Sequence, residues 1–361
     1  MKMNETEVGR SKPTLCVVNY NGAKFLPDSL AAAAVQRDSF AEVIVVDNAS
    51  EDESVALIER QFPWIRVERL SSNGGPPAAR NAGLREARSD LLLFIDNDVS
   101  LAEDCVERLA EALREHPRAA IAIPSVIYAH DRDLVQYDGA DSHFIGLMVL
   151  HNQDRPVADA DQRPRAVGNL ATACFLIDRR RIPSDTTFDE SFFYMFEDHD
   201  FGLRVRALGA EIVSVPQARC YHGKGTEGLS IRQLGTYSSK RVYFIIRNRW
   251  LIILKNFSAR TIFVLAPVLA AFEIAQLLLV LKKRWTAEWW RALTWIVRHW
   301  AVILKERRRV QALRRVSDRE LLVGGPVPFR RELTTSGFER AARSALDAIA
   351  TGYWKIAQRL I

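Results

Sequence analysis

The residues best suited to chemistry begin where an apolar run stops. The run Leu-Leu-Leu-Phe-Ile (91–95) leads directly into Asp96 and Asp98, with Asn97 between them. Buried strands avoid unpaired carboxylates because desolvating one is costly. Two acids at i and i+2 just past a strand end therefore call for a partner. Mg²⁺ and Mn²⁺ prefer carboxylate oxygens and are often held by one or two of them together with substrate phosphates. The same pattern also fits a solvated turn whose acids cap the next helix. It resembles the magnesium strand of a phosphate-loop NTPase as well, but the G-x-x-x-x-G-K-[ST] loop that reading needs is absent from the sequence.

A second cluster, Glu197-Asp198-His199-Asp200, follows the aromatic stretch Phe192-Phe193-Tyr194-Met195-Phe196. An apolar wall raises a carboxylate pKa toward the range a general base needs. Acids also favour helix N-termini, and Asp200 with Arg204 forms an i, i+4 pair that suits a plain ion pair. The third candidate is His222. If the preceding strand returns it to the same sheet edge, its neutral imidazole would complete a coordination sphere begun by Asp98.

The elements that must position these groups alternate. Apolar runs at 14–19, 42–46, 65–70 and 91–95 read as strands, and 25–36, 52–61, 78–86 and 103–115 as helices, with 73–77 (Asn-Gly-Gly-Pro-Pro) as a loop. This pattern predicts an α/β fold with a doubly wound parallel sheet, in which ligands bind at the carboxyl ends of the strands. Three strand ends carry polar clusters, at 19–22, 47–50 and 96–98. Residues 116–168, rich in Asp, His and turn residues, give no clear pattern. Beyond them, 169–177 reads as a buried strand, the later part of 192–208 as a helix, and 211–215 as a strand closed by Pro216, with His222 in a Gly-rich loop.

The chain has 361 residues with 48% hydrophobic and 26% charged content, which suits a largely globular protein. The polar first residues show no secretory signal pattern. The four scattered cysteines form no C-x-x-C pair, which argues against a disulfide framework or thiolate zinc site and fits a reducing cytoplasm. The net charge of +6 is uneven: 282–315 holds 11 Lys/Arg against 2 Asp/Glu, leaving the rest at about −3. A nucleic-acid binder would more often spread its basic charge over the folded body, so no nucleic-acid partner is expected.

Five stretches together, VVNYNG, VVDNAS, NGGPPAARNAG, FIDND and FEDHDFGLRVRALG, make the chain resemble the family 2 nucleotide-sugar glycosyltransferases, and within them the rhamnosyltransferase-like bacterial subgroup that builds cell-surface polysaccharides. The resemblance covers about 13–228. It implies a GT-A fold, a Mg²⁺ or Mn²⁺ cofactor, a UDP- or dTDP-linked sugar donor and a lipid-linked or glycan acceptor. By the same resemblance, Asn19, Asn21, Asp47, Asn73, Gly74, Arg80, Asn81, Asp96 and Asn97 bind the donor. Asp98 and His222 hold the metal, Asp198 is the catalytic carboxylate, and Glu197 and Asp200 support the acceptor pocket. The chain departs from the family at Pro76-Pro77, where members usually carry a bulky residue and a small one. The implied reaction inverts the anomeric centre. Two alternatives stay open: transfer to a polyprenyl phosphate, and a non-catalytic sugar-nucleotide-binding scaffold at the membrane.

The C-terminal part has a different character. Five of the eight Trp lie in 282–315, where Arg284, Arg291, Arg298 and Lys305 recur every seven residues, as do Trp289, Ile296 and Ile303. This spacing separates basic and apolar faces and predicts an amphipathic helix on an anionic membrane surface, with a helix docked on the catalytic domain as the alternative. The run 262–281 is long enough to span a bilayer, yet it holds Glu273 and is flanked by basic residues on both sides, which favours a monotopic, in-plane or re-entrant arrangement, with a transmembrane helix as the alternative. The expected organisation is a polar tail (1–12), a GT-A domain (13–240), a membrane-associating helical region (241–315) and a helical tail (316–361). The expected location is the cytoplasmic face of the cell membrane.

Overall fold

The computed structural model describes residues 12–223, 225, 238–328 and 337–361. The tail at 1–11 and most of the Gly-rich loop after Gly223 thus lie outside the described residues. The chain divides into two compact units, the first built from Met1–Ala140, Leu150–Val205 and Ala210–Thr236, the second from Asp141–Val149, Arg206–Gly209 and Tyr237–Ile361.

The first unit starts as a regular alternation: β1 (Thr14–Asn19), α1 (Leu26–Val35), β2 (Glu42–Asp47), α2 (Ser54–Gln61), β3 (Arg66–Arg69), α3 (Gly75–Glu86), β4 (Leu91–Asp96), β5 (Val99–Leu101) and α4 (Cys105–Glu115). The segment without a clear sequence pattern is mostly strand: β6 (Ala119–Tyr128), β7 (Asp131–Tyr137), β8 (Ala140–His143), β9 (Leu147–Leu150), β10 (Arg155–Pro156) and β11 (Arg165–Val167). β12 (Cys174–Asp178), α5 (Glu197–Ala207) and β13 (Glu211–His222) follow.

The main sheet runs β10-β7-β6-β12-β4-β1-β2-β3, and β13 pairs with β6, β11 and β5. β3, β2, β1 and β4 are parallel. β1 feeds β2 and β3 on one side and has β4 on the other, so the chain reverses its direction of travel across the sheet beside β1, where such folds open a ligand crevice. Alternate residues of the central strands enter two cores. Leu15, Val17, Val45, Leu93 and Ile95 fill one face, while Cys16, Val18, Ile44, Val46, Leu92 and Phe94 fill the other. Burial on both faces is why these strands are continuously apolar rather than alternating. All four cysteines are buried free thiols.

Three sequence expectations change. α3 begins at Gly75 rather than at residue 78, with the two prolines in its first turn, where a missing N–H costs nothing because that group has no helical acceptor anyway. β12 begins at Cys174, not at 169. β13 continues past Pro216 to His222, with its register broken between Val215 and Arg219 opposite Pro124 and Ser125 of β6. Proline cannot donate to a ladder, so the two prolines share one interruption and the strand resumes beyond it.

The second unit contains β8 and β9, then α6 (Ser239–Asn256), α7 (Ala259–Lys283), α8 (Thr286–Arg298), α9 (Trp300–Leu313), α10 (Asp318–Leu321), β14 (Leu322–Val323) and α11 (Gly337–Ala357). Ser238 and Ser258 cap α6 and α7 by accepting from Arg241 N and Thr261 N. The amphipathic segment at 282–315 is two helices, parted at His299. Its heptad cations Arg284, Arg291, Arg298 and Lys305 are exposed. Its apolar heptad turns inward: Ile296 and Ile303 are buried, and Trp289 packs against Val242, Ile246, Val280 and Ala292. Arg307 and Arg314 also turn inward, donating to the carbonyls of Leu254 (2.6 Å) and Asn256 (3.2 Å) at the end of α6, where helical carbonyls lack partners.

Candidate active site

The carboxyl ends of β1, β2 and β4 align in register, Asn19 opposite Asp47 and Val18 opposite Asp96. The Asn19 amide nitrogen donates to Asp47 Oδ1 at 2.8 Å and lies 3.2 and 3.1 Å from the Ser50 and Ser54 hydroxyls. Its oxygen accepts from Asn97 Nδ2 at 2.9 Å. Asn19 and Asp47 are fully buried, so this pair clamps three strand ends together. Gly22 makes the clamp possible, since a Cβ there would lie 2.1 Å from Asn19 Oδ1. Asn21 takes a positive φ of 49°, with its N–H donating to Ser50 Oγ and its Oδ1 accepting from Glu51 N.

The next loop is tied to the same edge. Asn48 Nδ2 donates to Asn73 Oδ1 at 2.9 Å, and Asn48 Oδ1 accepts from Gly74 N at 3.0 Å. A Cβ at Gly75 would lie 1.8 Å from the Phe193 carbonyl oxygen, so this glycine allows the start of α3 to approach the loop before α5. In that loop Phe193, Met195 and Phe196 all have positive φ, 59°, 65° and 68°. Non-glycine residues hold such angles at a cost and typically cluster at sites where side-chain placement matters.

Arg80 joins these parts. Its guanidinium donates to Asp96 Oδ1 at 2.9 Å and Glu197 Oε1 at 3.1 Å, and its side chain is 3% exposed. β5 and β13 bring in the histidine: His222 pairs with Val99, and Gly223 N donates to Asp98 O at 2.7 Å. His222 Nε2 lies 3.3 Å from Asp98 Oδ1, and Nδ1 lies 2.8 Å from Gln136 Oε1. A proton on Nδ1 would donate to that amide oxygen and leave the Nε2 lone pair directed at Asp98. Asp96, Asp98 and His222 each offer a ligand atom within 4.8 Å of the others. Two carboxylates and an imidazole with a supported ring suit a divalent cation such as Mn²⁺ or Mg²⁺.

The family model described as glycosyl transferase family 2 matches residues 14–180. Residues 14–180 form a family 2 glycosyltransferase domain. Succinoglycan biosynthesis protein ExoO of Rhizobium meliloti is 32% identical over 35% of this chain and 34% of its own length, so the match spans about a third of that relative. N-acetylglucosaminyl-diphospho-decaprenol L-rhamnosyltransferase of Mycobacterium tuberculosis is 25% identical over 57% of this chain and 74% of its own length. Among solved structures, GalNAc-T7 with UDP, GalNAc and Mn²⁺ shares the fold at TM-score 0.56 and 15% identity, covering 72% of this chain and 51% of that one. Staphylococcus aureus TarS 1–349 in complex with UDP-GlcNAc does so at TM-score 0.51 and 18% identity, covering 96% and 92%. The fold is GT-A.

Within the glycosyltransferase domain, the electrostatics separate the carboxylates. Burial, reinforced by the neighbouring Glu197 charge, pushes the Asp198 carboxyl up to about 7. Burial also raises Glu197, with Arg80 pulling the other way. Burial opposes the Arg80 charge, but Asp96 and Glu197 outweigh it and hold its pKa above the ordinary value. Burial lowers His199 to about 4, so it is neutral at pH 7.

Two residues singled out in the sequence turn out to be braces. Asn81 donates to Phe188 O (2.9 Å) and Glu190 Oε1 (2.8 Å) and accepts from Phe188 N (2.8 Å), which commits both ends of its amide to the 188–190 loop. Asp200 is fully buried and bonds Arg204 Nε at 2.7 Å, while Arg204 reaches Thr187 O at 2.7 Å. The plain ion pair is the geometry found. Sequence reasoning missed Asn48, Ser50 and Gln136. Only Asn48 and Ser50 carried a signal, since both lie in the polar cluster ending β2.

Proposed function

We propose that this chain transfers a sugar from a nucleotide-sugar donor to a hydroxyl of a lipid-linked or cell-surface glycan acceptor, with inversion at the anomeric carbon. The observation that carries this reading is the triad of Asp96, Asp98 and His222, with Arg80 tying Asp96 to Glu197 beside Asp198. Asp98 and His222 would hold Mg²⁺ or Mn²⁺, with Asp96 on the donor side. When bound, the cation would neutralise charge on the leaving nucleoside diphosphate.

The chain's own groups supply the rest. The clamp of Asn19, Asp47 and Asn97, with Asn21, Asn73 and Gly74 on adjoining loops, shapes the donor crevice at the strand ends. Arg80 holds Asp96 and Glu197 in fixed geometry, which limits reorganisation during reaction. Asp198, titrating near neutrality, takes the proton of the attacking acceptor hydroxyl. A base with that pKa suits a neutral hydroxyl acceptor better than an already anionic polyprenyl phosphate. Glu197 and Asp200 support the acceptor side, Asp200 by fixing the loop through Arg204. Residues 13–240 carry catalysis, and 241–315 attach the protein to an anionic membrane at its cytoplasmic face.

A thermal-shift screen of nucleotide sugars, with and without Mn²⁺ or Mg²⁺, followed by transfer assays on hits, tests the reading. A donor that stabilises the wild type only with metal, and is turned over, is the expected result. Donor binding indifferent to metal, or no donor binding at all, overturns it.

A further inference from the structure

Between residues 262 and 281 the exposed residues of α7 form one stripe. Phe263, Ala266, Pro267, Ala270, Ile274, Leu278 and Leu281 are exposed, and none is charged. Their spacings of three and four place them on a single helix face, about 27 Å long at 1.5 Å per residue. Phe263 is 81% exposed and Ile274 and Leu278 63% each. The opposite face, with Thr261, Leu265, Val268, Leu269, Phe272 and Val280, is buried inside the second unit.

The flanks and the buried side define the occupant. Exposed Arg260 precedes the stripe, and exposed Lys282, Lys283 and Arg284 end it. α8 adds exposed Arg291 and Arg298 around Trp290 and Val297, which are 64% and 73% exposed. An uncharged stripe with cations at both ends matches an anionic lipid surface in charge and in polarity. Behind the stripe, Glu273 pairs with Arg249, which donates to Ile145 O at 2.7 Å, and Tyr353 donates to Val264 O. Arg241, Arg247, Arg249 and Lys255 of α6 are all buried in the same unit. If α7 crossed the bilayer with these contacts intact, the charged helices packed on it would enter hydrocarbon too, at high cost.

We infer that α7 lies in the plane of an anionic membrane, inserting only its Phe263–Leu281 stripe while its other face stays on the protein. This deepens the membrane partner of the proposed function and rests on that reading. It also centres the lipid contact on α7, because Ile296 and Ile303 of the heptad in 282–315 are buried.

The test uses the full chain with single cysteines at Phe263, Ile274 or Leu281, labelled with an environment-sensitive dye and mixed with sealed phosphatidylcholine vesicles with or without phosphatidylglycerol. The four native thiols are buried. In-plane docking gives a blue shift at all three positions in anionic vesicles, similar shallow quenching by lipids brominated near the headgroup, and full reduction of every dye by external dithionite. Ile274→Asp with Leu278→Asp should weaken vesicle partition at least about ten-fold, with an unchanged nucleotide-sugar thermal shift. Protection of one end from dithionite, or deepest quenching at Ile274, overturns the inference in favour of a span. Vesicle binding without a blue shift overturns it in favour of another surface. Absence of vesicle binding overturns the membrane attachment as well, while donor binding reports separately on the catalytic reading.

Discussion

The first unit buries polar groups: Asn19, Asp47 and Asp200 are fully buried, and Arg80 is 2% exposed. The second unit buries Arg249 and Lys255 as well, but there Phe263, Ile274, Leu278 and Val297 have more than half their surface exposed. Each arrangement is costly in water by itself. Buried polar groups are tolerated when hydrogen-bonded to one another, as the Asn19–Asp47 and Arg80 clusters are. Exposed apolar groups are tolerated singly, but a continuous stripe marks an interaction surface. Under the proposed function the two units meet their ligands differently: the first through preorganised polar atoms in a crevice, the second through a surface that needs only the right polarity.

Asp98→Ala tests the polar side most severely. Metal-dependent donor affinity should fall by at least about 100-fold, read by calorimetry, and unaltered metal-dependent binding would refute the assignment. Asp198→Asn should keep donor binding but lower turnover about 10²–10⁴-fold, with the wild-type rate rising as pH passes through about 7. The sign for stability follows from the raised pKa. The fold favours the protonated form, so this contribution is full below the ordinary carboxylate range and is lost as pH rises through about 7. The Asn variant's Tm should therefore fall less than the wild type's between about pH 5 and pH 8.

Arg80→Gln breaks a buried paired cation and should cost about 3–5 kcal/mol in unfolding free energy. Because Arg80 lowers the Asp198 pKa, the variant's rate profile should also move to higher pH; an unmoved profile would confine Arg80 to a structural role. In the second unit, Arg249→Met alone should destabilise by a similar amount, yet with Glu273→Gln added most of the loss should return, a contrast that chemical denaturation of the single and double variants reads directly. Ile274→Asp should change stability least, within about 0.5 kcal/mol, since its side chain already faces outward; a large Tm loss would mean the stripe is packed on protein.

How much of this was legible beforehand depended on what each residue type constrains. Strands β1, β2 and β4 were readable because burial on both faces demands unbroken apolar runs, and their polar ends mark the crevice. The start of α3 was hidden by Pro76-Pro77, which reads as a loop yet also suits a first helical turn. β6 and β13 were obscured by Pro124 and Pro216, whose shared interruption becomes visible only once the strands are paired. Asp98 and His222 looked unrelated in sequence because the pairing of β5 with β13 is what joins them. Residue type also could not separate Asp198 from Asp200, two acids on one helical turn: an arginine four residues on takes one, and burial beside the Glu197 charge lifts the pKa of the other. The heptad of α8 and α9 separates a basic from an apolar side, but the same spacing arises whether the apolar side meets lipid, as expected, or protein, as Ile296 and Ile303 do.

His222 closes β13, and its partners in the triad lie more than a hundred residues earlier in the chain. At synthesis rates of roughly 5–20 residues per second, Asp96 and Asp98 exist for several seconds before the imidazole is made, and Glu197 and Asp198 also arrive late. Early in that interval β4 can pair with β1, while β12 and β13, the strands that complete β6, are still missing. A nascent chain can thus align the ends of β1, β2 and β4 while lacking both Asp198, the proposed proton acceptor, and His222, the proposed last metal ligand. On the proposed reading, the order of translation itself keeps the chemistry off until the sheet is whole.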